Sequence, residues 1–245
     1  MESFKEFFDV ALETLFPSGL VCFICGDEVQ ESKFELCNRC EKKIPLVKKH
    51  CLKCGSPIYS DANYCLTCKS NKRFFDFARS AFIYQDEIAY VIQELKYDNK
   101  KYLARPLAKF LEKEYLLVKD EINPVDFIIP IPLSKERFKK RGYNQSELLA
   151  RELSKLIDIP TNTEIVERIK NTETQTKLSF VERQENLNGA FKVSSKEKVK
   201  GKSFILIDDV LTTGSTVSHC AEVLKRAGAK AVYVLTVATT DSDKT

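Results

Sequence analysis

Residues 205–216 read ILIDDVLTTGST: apolar positions run straight into two adjacent aspartates, Asp208 and Asp209, and then into a loop of hydroxyls around one glycine. Adjacent carboxylates repel one another and belong on solvated faces, so a pair at the end of an apolar run asks for a ligand. The apolar run reads as a buried parallel strand and residues 215–227 as a helix, which puts the loop at the carboxyl end of a strand, where open α/β sheets bind ligands. Backbone N–H groups across Thr212, Thr213, Gly214, Ser215 and Thr216 can converge on one phosphate, aided by the hydroxyls and by the positive end of the following helix. Gly214 permits the close approach. Two carboxylates beside that cradle suit the 2′ and 3′ hydroxyls of a ribose 5-phosphate. The pattern G-x-x-x-x-G-K-[ST] does not occur and the loop carries no lysine, which argues against a Walker-type grip on a nucleoside triphosphate.

Outward from that loop, β-rich runs alternate with helical ones from about residue 74, the signature of a parallel sheet with crossover helices. FARSAFIY (77–84), DFIIPIP (126–132), SFILIDD (203–209) and AVYVLTVAT (231–239) read as strands. Residues 87–97, 101–118, 144–157, 180–188 and 215–227 read as helices. The first residues also recur at helical spacing, with Phe4, Phe7, Phe8, Ala11, Leu12 and Leu15 on one face.

Nine cysteines occur, and eight fall into four C-x-x-C pairs: Cys22 and Cys25, Cys37 and Cys40, Cys51 and Cys54, Cys65 and Cys68. The stretch Cys22-Phe-Ile-Cys25-Gly26 returns as Cys51-Leu-Lys-Cys54-Gly55, and each unit closes on a second pair without the glycine. Paired thiols in a reducing compartment serve a metal rather than a disulfide framework, and zinc suits four thiolates in a tetrahedron. The repeat points to two structural zinc ribbons. A closed set of four thiolates leaves no position for substrate or water, so catalytic zinc is not expected.

The remaining composition is that of a soluble globular chain. Lys and Arg total 39 against 35 Asp and Glu, a net charge of +4, so attraction to polyanions must come from local clusters. MESFKEFFDVALETLF lacks the order of charge, apolar core and small residues of a secretory signal, and charges break every apolar run well short of ~18 residues. A cytoplasmic protein without a membrane span is expected. The expected organisation is an amphipathic helix over 1–19, a double zinc ribbon over 20–73 and an α/β domain over 74–241.

The acid pair with its loop resembles the phosphoribosyltransferase signature that binds 5-phosphoribosyl-1-pyrophosphate (PRPP). PIPLSKERFKKRGYNQSELLA, ELKYDNK and RIKNTETQTKLSFVERQENLNGAF, together with the double ribbon, resemble the ComF family of competence-associated phosphoribosyltransferase-like proteins. The resemblance implies a type I phosphoribosyltransferase-like parallel sheet with helices on both faces, plus a small N-terminal zinc-ribbon domain. It implies that Pro132, Leu133, Ser134 and Lys135 form a pyrophosphate loop. Lys96, Arg137, Lys139, Lys140 and Arg141 then supply cations for pyrophosphate or for a DNA backbone. Asn144, Gln145, Arg168, Gln175, Arg183 and Asn186 also match the family pattern, and 171–177 has the composition of a flap that closes over the site.

Three functions are compatible with this reading. The chain is a competence protein binding PRPP and single-stranded DNA during uptake, or a phosphoribosyltransferase acting with magnesium on an unknown acceptor, or a zinc-ribbon adaptor docking a competence helicase or another DNA-handling protein. Phe74, Phe75, Phe138 and Tyr143 interleave with cations as single-strand binding requires, or are core residues. No histidine or isolated carboxylate stands out as a base for transfer. Asparagine at both 208 and 209 is expected to remove PRPP binding and leave the fold intact.

Overall fold

A computed structural model of the chain describes residues 21–29, 32–170 and 189–241. The expected helices at 1–19 and 180–188, the flap at 171–177, and Gln175, Arg183 and Asn186 lie outside the described residues. Two compact units divide the chain, residues 1–44 and residues 45–245.

In the first unit the Val21–Glu28 bridge and the bond from Cys22 N–H to Asp27 O (2.7 Å) close a short antiparallel turn, and helix α1 (Asn38–Lys43) follows Cys37. Cys22, Val29, Leu36 and Cys40 form its small interior.

The second unit opens on the same design. Cys51 N–H donates to Ser56 O (2.8 Å), His50 bridges Pro57, and helix α2 (Leu66–Ser70) follows Cys65. The α/β body comes next: β1 (Phe77–Ile83), α3 (Asp86–Tyr97), a 3-10 turn (Lys101–Leu103), α4 (Ala104–Leu116), β2 (Phe127–Pro130), α5 (Lys135–Arg141), α6 (Gln145–Ile157), β3 (Val166–Arg168), β4 (Phe191–Val193), β5 (Ser203–Leu211), α7 (Ser215–Arg226) and β6 (Ala231–Thr239). The strands β1, β6, β5 and β2 stand side by side in that order, all parallel, while β3 and β4 form a separate antiparallel pair.

The sheet is covered on both faces, as its continuous apolar strands demand. Alternate residues point to opposite faces. Phe204, Leu206, Val232 and Val234 share one cluster with Val217, Cys220, Ala221 and Leu224 of α7. On the other face α4 and α6 pack together and against the strands, burying Leu107, Leu111, Leu149 and Leu153.

The second ribbon is built into this body. Ala78 N–H of β1 donates to Lys53 O (2.8 Å), Val47 N–H donates to Ala81 O (3.1 Å), and Ile83 N–H donates to Pro45 O (2.7 Å). Residues 45–53 thus occupy the free edge of β1, which would otherwise expose unpaired backbone groups. A Cβ on Gly55 would stand 2.7 Å from Ala78 O, and φ there is +74°, so only glycine lets the ribbon approach this closely.

The strands and helices read from sequence within the described residues occur within a few residues of their expected bounds. Two features differ. The basic stretch after β2 is a helix, α5, because Ser134 Oγ accepts from Arg137 N–H (3.3 Å) and caps it, and Gly142 N–H returns to Phe138 O (2.8 Å) at its end. The pair β3–β4 carries only three residues a strand, too short for periodicity to reveal.

Candidate functional site

The β2–β5 pairing ends at Pro130 opposite Ile207. Beyond that level β2 gives way to the turn at Pro132, Leu133, Ser134 and Lys135, whereas β5 continues beside β6 through Asp208 and Asp209 to Leu211, and the loop of Thr212, Thr213, Gly214, Ser215 and Thr216 follows it. The acid pair and both proposed phosphate loops meet at the carboxyl end of the sheet.

Each aspartate has its own fixing partner. Asp208 Oδ1 accepts from Ser146 Oγ (2.9 Å) and from Asp209 N–H (2.9 Å). Ser146 opens α6, whose cap is Asn144: its Oδ1 accepts from Ser146 N–H (3.1 Å) and its Nδ2 donates to Ile131 O (3.0 Å). Asn144 thereby ties the turn after β2 to the helix that holds Asp208. Asp209 forms an ion pair with Lys96 of α3, Nζ to Oδ1 at 3.1 Å, with the side chains 15% and 7% exposed. The other oxygen, Asp209 Oδ2, is buried and has no hydrogen-bond partner among the described residues. An unmatched buried carboxylate oxygen costs on the order of 1–3 kcal/mol, which a donor or cation placed beside it would offset.

The electrostatics follow from this packing. Burial, then the Asp209 charge, push the Asp208 carboxyl up to about 7, against the Ser146 hydrogen bond. Burial alone would lower the Lys96 ammonium, but Asp209 and Asp208 leave it above its ordinary value. Burial and then the Arg137 charge lower Arg168 to about 10, against the pull of Asp208. Between about 3.9, the ordinary aspartate value, and 7 the folded chain holds a proton on Asp208 that the unfolded chain has released. This group therefore makes stability fall as pH rises through that window. Thermal melts of the parent and of Asp208→Asn at pH 5 and pH 7.5 are expected to show a smaller fall for the variant; parallel shifts would contradict the burdened carboxyl.

The loop 212–216 is preset. Gly214 takes φ +69°, Thr213 Oγ1 and Ser215 Oγ share a hydrogen bond of 2.9 Å, and Ser218 N–H donates to Gly214 O (2.9 Å) to start α7. His219 and Cys220 serve the helix, the first with its ring Nδ1 2.9 Å from Ser215 O and the second buried.

The basic residues separate into two kinds. Lys96 stands on the acid pair, and Arg141 is tied to Gln145 Oε1 (2.7 Å) and to Tyr97, by a bond to the hydroxyl (2.9 Å) and by stacking on the ring. Lys135, Lys139 and Lys140 are exposed, and Arg137 is half-buried. Beside α5 a cleft of about 720 Å³ is lined by Pro132, Leu133, Lys135, Phe138, Lys139 and Asn144. Of the four aromatics considered as stacking residues, Phe75 and Tyr143 are buried and Phe74 is partly buried, while Phe138 is 50% exposed. Ser146 is the site residue that sequence reasoning missed; it lies inside the family-like stretch RGYNQSELLA, but a serine in a first helical turn gives no sign of its tertiary partner.

The cysteines gather as Cys22, Cys25, Cys37 and Cys40, and as Cys51, Cys54, Cys65 and Cys68, with the sulfurs of each set all within 4.8 Å of one another. Four sulfurs 2.3 Å from a zinc ion stand about 3.8 Å apart, and Cys25–Cys37 and Cys54–Cys65 lie at 3.6 Å. Both sets fit structural zinc.

Residues 11–69 match the family model of the double zinc ribbon domain and residues 141–244 that of the phosphoribosyl transferase domain. Competence protein F of Haemophilus influenzae is 34% identical over 219 residues, covering 87% of this chain and 94% of that protein. DNA utilization protein YhgH of Escherichia coli is 31% identical over 216 residues, with coverages of 87% and 94%. Competence protein ComFC of Bacillus subtilis is 25% identical over 226 residues, with coverages of 85% and 90%.

Proposed function

The chain belongs to the ComF family of competence-associated phosphoribosyltransferase-like proteins, and from that premise we propose that it serves DNA uptake in the cytoplasm by binding PRPP at the acid pair and single-stranded DNA along α5. The observation that carries the PRPP reading is Asp209 Oδ2, buried without a partner next to a preset Thr/Ser/Gly loop. In this reading the loop 212–216 holds the 5′-phosphate, Asp208 and Asp209 accept from the ribose hydroxyls, and backbone groups of 132–135 meet the pyrophosphate. Magnesium, carried in with the diphosphate, would neutralise its charge, with Asp209 Oδ2 as the carboxylate oxygen left open to it. Lys96 holds Asp209 by its Oδ1 while Oδ2 stays open.

The DNA reading draws on the exposed lysines of α5 and the exposed ring of Phe138 beside the cleft, since single-strand binders combine backbone cations with stacking platforms. A competence helicase or another DNA-uptake protein is the partner class that such a role requires. Among the described residues no helix is long and apolar enough to cross a membrane.

Calorimetric titration with magnesium–PRPP and with a single-stranded oligonucleotide, separately and in competition, tests the proposal. Both are expected to bind. Replacing Lys139 and Lys140 by alanine should weaken the oligonucleotide and reduce the slope of log affinity against log salt by about 0.7 for each lost contact, leaving PRPP unaffected. An unchanged slope would remove α5 from the DNA surface. Pyrophosphate release on adding an acceptor nucleobase would move the protein to the transferases.

A further inference from the structure

The loop 212–216 carries hydroxyls and backbone donors but no basic side chain, while a 5′-phosphate brings a charge of nearly two. Of the cations already placed at the site, Lys96 is paired with Asp209. One further guanidinium reaches the loop from an unexpected part of the chain. Arg73, shortly after Cys68, is 7% exposed, and its guanidinium lies against Gly214. A Cβ on Gly214 would stand 3.3 Å from Arg73 Nη1 and 3.6 Å from its Cζ, so the glycine also makes room for the arginine.

Arg73 is held there from both sides. Asn71 N–H donates to Thr67 O (2.9 Å) at the end of α2, and Phe74 N–H donates to Ser218 Oγ (3.2 Å) one turn into α7. Phe75 is buried in the cluster that contains Cys51, Cys54, Cys65, Val217 and Cys220, and its carbonyl accepts from Lys53 Nζ (2.5 Å). The segment that leaves the second ribbon is thus clamped across the start of the phosphate-loop helix.

We propose that Arg73 is the charge-bearing member of the phosphate cradle: its guanidinium donates to one phosphate oxygen while the N–H groups and hydroxyls of 212–216 take the others. This rests on the reading of that loop as a 5′-phosphate site. A planar fork of donors suits phosphate. The ribbon then contributes directly to ligand recognition, and selection for a phosphorylated sugar depends on a residue outside the phosphoribosyltransferase-like segment.

The probe is ribose 5-phosphate, titrated into the full chain at several salt concentrations. Arg73→Met is expected to weaken binding about tenfold to a hundredfold and to flatten the salt dependence, with zinc content close to the parent. Arg73→Lys keeps the charge and loses the fork, so it should weaken binding severalfold and keep the parent's salt slope. Parent-like affinity in either variant overturns the inference, and so does an equal loss in both with an unchanged slope, which would mean that Arg73 only braces the loop. If the methionine variant does not fold, Arg73→Gln takes its place as the neutral variant under the same criteria. A parent that binds PRPP but not ribose 5-phosphate overturns this inference alone, whereas a parent that binds neither also overturns the phosphoribosyl reading beneath it.

Discussion

Asp209→Asn is expected to abolish PRPP binding and, unlike Asp208→Asn, to cost the fold about 3 kcal/mol, or about 6–12 °C in melting temperature. The cost to the fold departs from the expectation drawn from the sequence, which did not show Lys96, and the two losses have one origin. Lys96 is largely buried with its ammonium 3.1 Å from Asp209 Oδ1, so the amide leaves a buried cation uncompensated while also removing the carboxylate that meets the ligand. Lys96→Met in the same chain removes that cation and should return most of the melting temperature without restoring PRPP binding. Asp208→Asn retains an oxygen for Ser146 Oγ and Asp209 N–H and relieves the repulsion between neighbours, so its stability should hold or rise slightly. Calorimetry with magnesium–PRPP beside thermal melts of the three variants reads both quantities. An Asp209→Asn protein that melts with the parent would show that the ion pair contributes nothing. One that binds PRPP would show that the acid pair is structural.

Loss of zinc from the second cysteine set is expected to destabilise the α/β body and not the ribbon alone. Cys51, Cys54 and Cys65 are buried in one apolar cluster with Phe75, Phe204, Leu206 and Cys220, and residues 45–53 fill the edge of β1. Elemental analysis of protein purified without chelator should find two zinc ions per chain. Cys54→Ser should lower this to one and reduce stability by several kcal/mol, because the binding energy of a structural zinc is folding energy. The readout is the cooperative helical signal of the α/β body in a thermal melt. If that transition is unmoved while one zinc is lost, the ribbon is an appendage after all.

What the sequence alone determined is what local pattern encodes. Short runs rich in β-branched and aromatic residues, such as 204–207 and 231–239, read as strands buried on both faces, so the parallel sheet and its covering helices followed from them. The repeated C-x-x-C-G units announced two four-thiolate sets, since ribbon-type structural zinc takes its ligands in closely spaced pairs. The acid pair with T-T-G-S-T was legible because a strand end, a loop and a helix start are consecutive residues.

Only the tertiary structure decided the partners of those groups. Lys96 lies far from Asp209 along the chain, as do Ser146 from Asp208 and Arg73 from Gly214, and nothing in their own neighbourhoods names the contact. The same holds for the second ribbon: the sequence places it in a double ribbon over 20–73 and does not show that residues 45–53 supply the hydrogen bonds that the edge of β1 needs. Periodicity and spacing specify an element and its buried face, whereas the pairing of charges across elements depends on where the packed faces bring distant side chains together.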